Sequence, residues 1–281
     1  MRAFRYQILN VFSETHFAGN PLAVFPDAAG LSDAEMQQLA QQLNLSESTF
    51  VTPHQQADAA VRIFTPNYEL PFAGHPTLGT AWVVAQGRTD VTLAMPAGTI
   101  PVHVAGDIAT LTAQPPRYRD AATAADIAAA LHLPLQSVSG TPRWVNTGTE
   151  QLVVPLASAE AVAACAPTVE QFEAIATNAV GVAQMLVWAR DGDEITARFF
   201  WVQYGAIGED YGTGSAGANL AGWLLAELTA LPYTCTMVQG RGIGRLAHVR
   251  VAIEADRAIR VSGRVVQVGE GVLTLPGQAT A

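Results

Sequence analysis

Two stretches of the chain follow one plan, and this repeat constrains the fold more than any other feature of the sequence. The first runs from Arg62-Ile63-Phe64 through Glu69 to Gly74-His75-Pro76-Thr77-Leu78-Gly79. The second runs from Arg198-Phe199-Phe200 through Gly208-Glu209-Asp210 to Thr213-Gly214-Ser215-Ala216-Gly217. In each, Arg-x-Phe closes an apolar strand, an acid follows, and a glycine-rich bend opens an apolar-striped stretch that ends near Trp82 or Trp223. A bend feeding a helix leaves unpaired backbone N–H groups at the positive end of the helix dipole, worth ~0.3–1 kcal/mol per charge when exposed and up to ~2 when partly buried. Two such helix starts facing one cleft would make an anion site.

Length and composition leave room for this plan. The 281 residues suffice for two domains of ordinary size, and 49% hydrophobic with 14% charged residues is the composition of a globular chain. A net charge of -9, with the acids scattered, argues against nucleic acid or an anionic membrane surface as partner. An anionic substrate would have to be held by local groups. Cys165 and Cys235 lack metal-ligand or disulfide-framework spacing, and no metal, nucleotide or flavin motif is present, so no cofactor is expected. Gly240-Arg241-Gly242-Ile243-Gly244 lacks the strand and helix flanks of a dinucleotide loop and reads as a β-turn. The charged, alternating N-terminus and the absence of a long apolar run argue against secretion and membrane insertion, and a cytoplasmic location is expected.

Local signals order the elements. Tyr6 to Phe12 reads as a strand, Gly19-Asn20-Pro21 as a loop, and Leu22 to Phe25 as a short apolar run. Ser32 and Glu35 predict a capping box, Leu31 and Met36 a hydrophobic staple, and Asn44 the end of that helix. A strand at Ala59 to Phe64 precedes the first turn, Pro76 suits a first helical position, and Gly87 suits the far end of that helix. Residues 91–114 read as strands, and Pro115-Pro116 as a linker. Beyond it the order recurs: a helix from Thr123 to Leu131, strands near Leu152 to Pro155, a helix capped by Thr168 and Gln171, strands at Met185 to Trp188 and into Phe200, then the second turn. Strand-rich sequence follows over residues 234–275. The expected fold is α+β: two pseudo-symmetric halves, each a curved or barrel-like β-sheet around a central helix, with a cleft between them. The first half takes residues 1–115, with a strand at about 261–276 returning to it, and the second takes 118–260.

Glu47 is the candidate base, the only acid between Glu35 and Asp58, placed between serines at a helix-to-strand junction. Asn44-Leu45-Ser46-Glu47-Ser48-Thr49-Phe50-Val51, with Gly19-Asn20-Pro21 and Glu69 through Gly79, resembles the phenazine-biosynthesis PhzF-like family, and Glu209-Asp210-x-x-Thr213-Gly214-Ser215-Ala216 is similar to that family's other signature. The resemblance covers nearly the whole chain. It implies the fold shared with diaminopimelate epimerase and proline racemase, and a cofactor-independent isomerase acting on a small carboxylated molecule, such as one of the trans-2,3-dihydro-3-hydroxyanthranilate type, in a homodimer. In the wider superfamily two cysteines at the glycine turns act as acid and base. Aligning the turns puts Gly79 and Thr213 at those places, which excludes two-thiol chemistry and leaves a glutamate-led proton shift.

The resemblance carries a proton-shuttling role to Glu47 and polar positioning roles to His75 and Asp210. It makes Asn20, Gly74, Thr213, Gly214 and Ser215 substrate-binding groups, with the carboxylate cradled by N–H groups near Gly74, His75, Gly214 and Ser215. Glu47 needs a pKa closer to working pH than the ~4.3 of a free glutamate, which partial burial supplies. Other readings stay open: His75 as a helix-start hydrogen-bonder, one of Glu209 and Asp210 as a cap, and the whole chain as an epimerase using Glu47 and Asp210 or as a non-catalytic binding protein. Arg62 and Arg198 read as structural pairs. Val202, Tyr211 and Gly212 depart from the family pattern, in which proline usually takes the first place and Pro-Ala the last two, and they leave the substrate open.

Overall fold

A computed structural model of the protein describes residues 1–192 and 194–277. The chain divides into two units, Met1–Leu111 with the segment from Ser262 onward, and Thr112–Val261. In the first, β1 (Arg2–Val11) pairs antiparallel with β2 (Asn20–Phe25), and α1 (Asp33–Leu43) crosses to β3 (Glu47–Thr52), which lies parallel to β2 with Leu22 opposite Glu47. β4 (Ala59–Phe64) returns antiparallel, β5 (Glu69–Leu70) pairs with its end, and α2 (Gly74–Ala85) leads to β6 (Asp90–Met95), parallel to β4. β7 (Gly98–Ala105) and β8 (Ile108–Thr112) complete a meander.

The second unit repeats the order. After β9 (Arg117–Asp120) and α3 (Ala124–Ala130), β10 (Arg143–Asn146) pairs antiparallel with β11 (Glu150–Pro155). α4 (Ala159–Ala164) and α5 (Val169–Ala176) cross to β12 (Gln184–Asp191), parallel to β11. β13 (Glu194–Gln203) and β14 (Ala206–Glu209) form a hairpin, and α6 (Gly214–Glu227) leads to β15 (Tyr233–Gln239), parallel to β13 and followed by β16 (Ala247–Ile253). The last strand, β17 (Ile259–Leu275), pairs antiparallel with β1 from Val265 to Leu275.

α2 and α6 are the inner helices. A helix that is apolar all round must be buried all round, and both lie inside their sheets: α2 packs on β1, β2, β3, β6 and β7, and α6 on β10, β11 and β16. Gly79 lets α2 come close. A Cβ there would lie 2.5 Å from Leu22 Cδ2 and 3.0 Å from Val11 Cγ2. On the outer side of the first sheet, Met36, Leu39 and Ala40 of α1 cover Phe4, Phe25, Phe50 and Phe64. In the second unit Ile127 of α3, Val162 of α4 and Phe172 of α5 share a core with Trp144 and Phe200. Each half is thus an α+β layer pair with its sheet wrapped on one central helix.

The capping box forms: Ser32 accepts from the Glu35 N–H, Glu35 accepts from the Ser32 N–H, and Asn44 ends the helix in the left-handed region at φ 49°. Four local expectations shift. Pro76 is the third helical residue rather than the first, still within the turn whose N–H groups have no helical partner. Gln86, at φ 48°, caps α2 one residue before Gly87. The Thr168 side chain makes no bond to the α5 backbone; its hydroxyl donates to Gln171 Oε1, and Gln171 also meets His132. Arg241–Ile243 is a single 3₁₀ turn between the left-handed Gly240 and Gly244.

The repeated Arg-x-Phe has one structural meaning in both units. Residues two apart on a strand share a face, so the Arg62 guanidinium lies 5.1 Å from the Phe64 ring centre and that of Arg198 4.6 Å from Phe200. Each arginine then makes a two-pronged pair with the acid opposite its phenylalanine. Arg62 reaches Glu69 at 2.7 and 2.6 Å, and Arg198 reaches Glu209 at 3.1 and 2.7 Å. The register is the same, Phe64 facing Glu69 and Phe200 facing Glu209. These arginines clamp the hairpin from which each inner helix departs, and Arg198 also donates to the Cys165 carbonyl at 2.8 Å.

Candidate active site

Glu47 opens β3 and His75 is the second residue of α2, so strand and helix bring them together: His75 Nε2 lies 3.4 Å from Glu47 Oε2. His75 is 5% exposed, and Glu47 keeps 17% of its side-chain exposure while its Oε2 is closed to solvent. Burial disfavours the charged carboxylate and raises the Glu47 pKa from 4.5 to about 7, outweighing a hydrogen bond from Ser46 that acts the other way. A carboxyl poised there can both take and return a proton near neutral pH. The Ser46 hydroxyl also lies 3.1 Å from Oδ1 of Asn20, a fully buried residue at the start of β2. The chain reaches Asn20 through Gly19, whose φ of +72° and 2.4 Å gap between a would-be Cβ and the Val11 carbonyl demand glycine.

Gly74 is the first residue of α2, and Ala73 before it offers no side-chain cap. Pro76 has no N–H, and that of Thr77 donates to the Ala73 carbonyl. At the second turn Thr213 is the residue before α6, and Gly214 and Ser215 are its first two residues. The Thr213 N–H donates to Gln239 Oε1 at 3.0 Å, and the Thr213 hydroxyl donates to Asp210 Oδ2. Gln239 Nε2 in turn lies 3.3 Å from Thr213 Oγ1 and 3.4 Å from the Asp210 carbonyl. Of the two adjacent acids, Glu209 is engaged by Arg198 and Asp210 braces the turn. Tyr211 packs beneath Arg245, 5.6 Å from ring centre to guanidinium carbon.

One alignment of the turns is corrected. Gly79 is the sixth residue of α2, whereas Thr213 precedes α6, so the matching positions are Ala73 with Thr213 and Gly79 with Asn219. None of the four is a cysteine. Burial pushes the Cys165 thiol up to about 12 and that of Cys235 to about 11, so neither supplies a thiolate near neutral pH. Among the described residues no group of three or more His, Cys, Asp or Glu side chains could hold a metal ion, and no helix is long and apolar enough to cross a membrane.

The sequence reading missed Gln239, Gln151 and Asn219. Asn219 left a trace as the one amide in the otherwise apolar or small Gly214–Leu225 stretch, while the glutamines sit at strand positions that the apolar pattern passes over.

A family model described as phenazine biosynthesis-like protein matches residues 9–271. The trans-2,3-dihydro-3-hydroxyanthranilate isomerase of Pseudomonas aeruginosa is 36% identical, over 95% of this chain and 98% of its own length. A Pseudomonas aeruginosa structure described as a predicted epimerase superposes with a TM-score of 0.81 at 30% identity, covering 97% of this chain and all of that one. The Bacillus anthracis phenazine biosynthesis protein of the PhzF family superposes with a TM-score of 0.87 at 22% identity, over 98% and 100% of the two chains. The chain therefore belongs to the phenazine biosynthesis-like, or PhzF, family and is a proton-transfer isomerase of that fold.

Proposed function

We propose that Glu47 removes a proton from a saturated ring carbon of a small cyclic dienoic carboxylate and delivers that proton, or one exchanged with solvent, to a conjugated carbon, on a substrate of the trans-2,3-dihydro-3-hydroxyanthranilate class. The observation that carries this reading is the Glu47–His75 pair, a carboxyl raised to about 7 with one oxygen closed to solvent and 3.4 Å from an imidazole nitrogen. The ionised carboxylate accepts the proton while the C–H electron pair moves into the ring's double-bond system. The protonated carboxyl then delivers a proton to the carbon at the far end of that system. His75, with Nε2 3.4 Å from Oε2, is placed to steady the carboxylate between the two steps. The 36% identity to the Pseudomonas aeruginosa isomerase supports the substrate class.

Family resemblance supports the remaining assignments: Asp210 as a second positioning group, the Gly74, Gly214 and Ser215 region as the carboxylate cradle, Asn20 and Thr213 in support, and a cytoplasmic homodimer. The decisive experiment is incubation with trans-2,3-dihydro-3-hydroxyanthranilate in deuterated water, followed by NMR. Deuterium at the carbon that gains the proton supports the isomerase. Label at an inverted centre with the ring unchanged would mark an epimerase, and an unconsumed, unlabelled compound would remove this substrate class. Cys165→Ala and Cys235→Ala are expected to keep turnover within about twofold, since neither thiol ionises near neutral pH. A large loss in either variant would restore thiol chemistry to consideration.

A further inference from the structure

Every hydrogen-bond direction around Ser215 follows from one fixed point in the second unit. The Thr147 N–H lies 3.0 Å from Asn219 Oδ1, and a backbone N–H can only donate, so that atom is the amide oxygen. The Thr147 hydroxyl donates to the same oxygen at 2.7 Å. Asn219 Nδ2 therefore faces the Thr149 carbonyl and Gln151, both at 2.8 Å, which makes the facing Gln151 atom its oxygen. Gln151 Nε2 is left to donate to Ser215 Oγ at 2.9 Å. Asn219 is 0% and Gln151 1% exposed. A flipped amide in this chain would set buried donor against donor, so the order is locked.

Ser215 Oγ thus receives a hydrogen bond from the interior, which leaves its own O–H hydrogen to be donated. We propose that Gln151 is a positioning residue which, through the buried Thr147–Asn219–Gln151 relay, holds the Ser215 hydroxyl as a hydrogen-bond donor to the substrate's carboxylate. Ser215 stands directly after the first helical glycine of α6, as His75 does in α2. In both units a side chain on a neighbouring strand comes up to the residue at that position, Glu47 lying 3.4 Å from His75 and Gln151 donating to Ser215 at 2.9 Å. A hydroxyl fixed as donor favours a carboxylate, a charged acceptor through either oxygen, over a neutral carboxamide, which offers it one uncharged carbonyl oxygen.

This inference rests on the ring-carboxylate reading above, and its test uses a ligand that cannot isomerise, so the two fail separately. Equilibrium binding of 2-aminobenzoate and of its neutral counterpart 2-aminobenzamide is measured for the unaltered protein, Ser215→Ala, Gln151→Leu and the double variant. Ser215→Ala is expected to weaken 2-aminobenzoate about tenfold and 2-aminobenzamide far less. Gln151→Leu is expected to weaken 2-aminobenzoate about fivefold alone and not at all in the Ser215→Ala background, because it acts through that hydroxyl. A Gln151→Leu loss that persists in that background would mark a merely structural role and overturn the proposal. Equal effects of Ser215→Ala on the two ligands, or no binding of 2-aminobenzoate to the unaltered protein, would overturn it too. If Gln151→Leu does not fold, Gln151→Met takes its place, and the carboxylate-to-carboxamide comparison in Ser215→Ala decides the donor direction without either.

Discussion

Glu47→Gln is expected to lower turnover by about 10³-fold or more, at the upper part of the range that a positioned acid–base group contributes, while ligand affinity stays within a few-fold. Glutamine fills the same space at the start of β3 and can still meet His75, but it cannot take a proton from carbon. The loss therefore falls on the chemical step rather than on binding. In the unaltered protein kcat/KM is expected to rise with pH through about 7, since proton removal needs the ionised carboxylate and burial holds the Glu47 pKa there. Turnover near normal in Glu47→Gln, or a rate already saturated at pH 5, would take Glu47 out of the mechanism.

The same substitution should stabilise the fold, by an amount that depends on pH. The Glu47 pKa is about 7 in the native state against 4.5 for a free side chain, so between those values the native state holds more protons than the unfolded chain. Stability then falls as pH rises from about 4.5 to 7 and stays low above it. At about 1.4 kcal/mol per pKa unit the cost reaches roughly 3 kcal/mol, and the 17% exposure that Glu47 retains argues for a little less. Glutamine carries no such cost. Denaturant unfolding is expected to show Glu47→Gln more stable by roughly 2–3 kcal/mol at pH 8, with the gap closing toward pH 4.5. A pH-independent gap would mean that the carboxyl is not desolvated.

What the sequence disclosed and what it hid divide by the range of the interaction. Ser32 and Glu35, Asn44, and the Arg-x-Phe clamps were legible because each acts within one turn or across one hairpin, where residue type and spacing suffice. Thr168 and Gln171 have that spacing too, but the glutamine turned to a hydroxyl and to His132, which lies 39 residues away. Glu47 stood out as the lone acid between Glu35 and Asp58, and family resemblance gave it a role; its raised pKa depends on burial that only the folded sheet creates. The amide relay was illegible for the same reason. Asn219 meets Thr147 and Gln151 at separations of 72 and 68 residues, and Gln151 meets Ser215 at 64. No local pattern encodes which way a buried amide faces.

The close approach at Gly79 supports the second large effect. Replacing glycine within a helix by alanine favours the helix by up to about 1 kcal/mol, which alone would make Gly79→Ala stabilising. Against this stands the 2.5 Å gap to Leu22 Cδ2 and the 3.0 Å gap to Val11 Cγ2, both on side chains with no exposed surface and little room to move. Overpacking a core costs about 1–3 kcal/mol. The net expectation is that Gly79→Ala destabilises by about 1 kcal/mol and Gly79→Val, larger and β-branched, by about 3. The damage should reach the chemistry. His75 lies one helical turn before Gly79 on the same side of α2, and Leu22 is the register partner of Glu47, so a helix lifted from β2 separates the imidazole from the carboxyl it steadies. Displacements near 1 Å can cost about 10²-fold in rate, and Gly79→Val is expected to lose 10- to 100-fold in kcat with its kcat/KM pH midpoint shifted. Denaturant unfolding and the pH–rate profile of both variants check this together. A Gly79→Ala protein more stable than the unaltered one and fully active would show that helix propensity outweighs packing here and that the spacing of α2 on β2 does not set the Glu47–His75 distance.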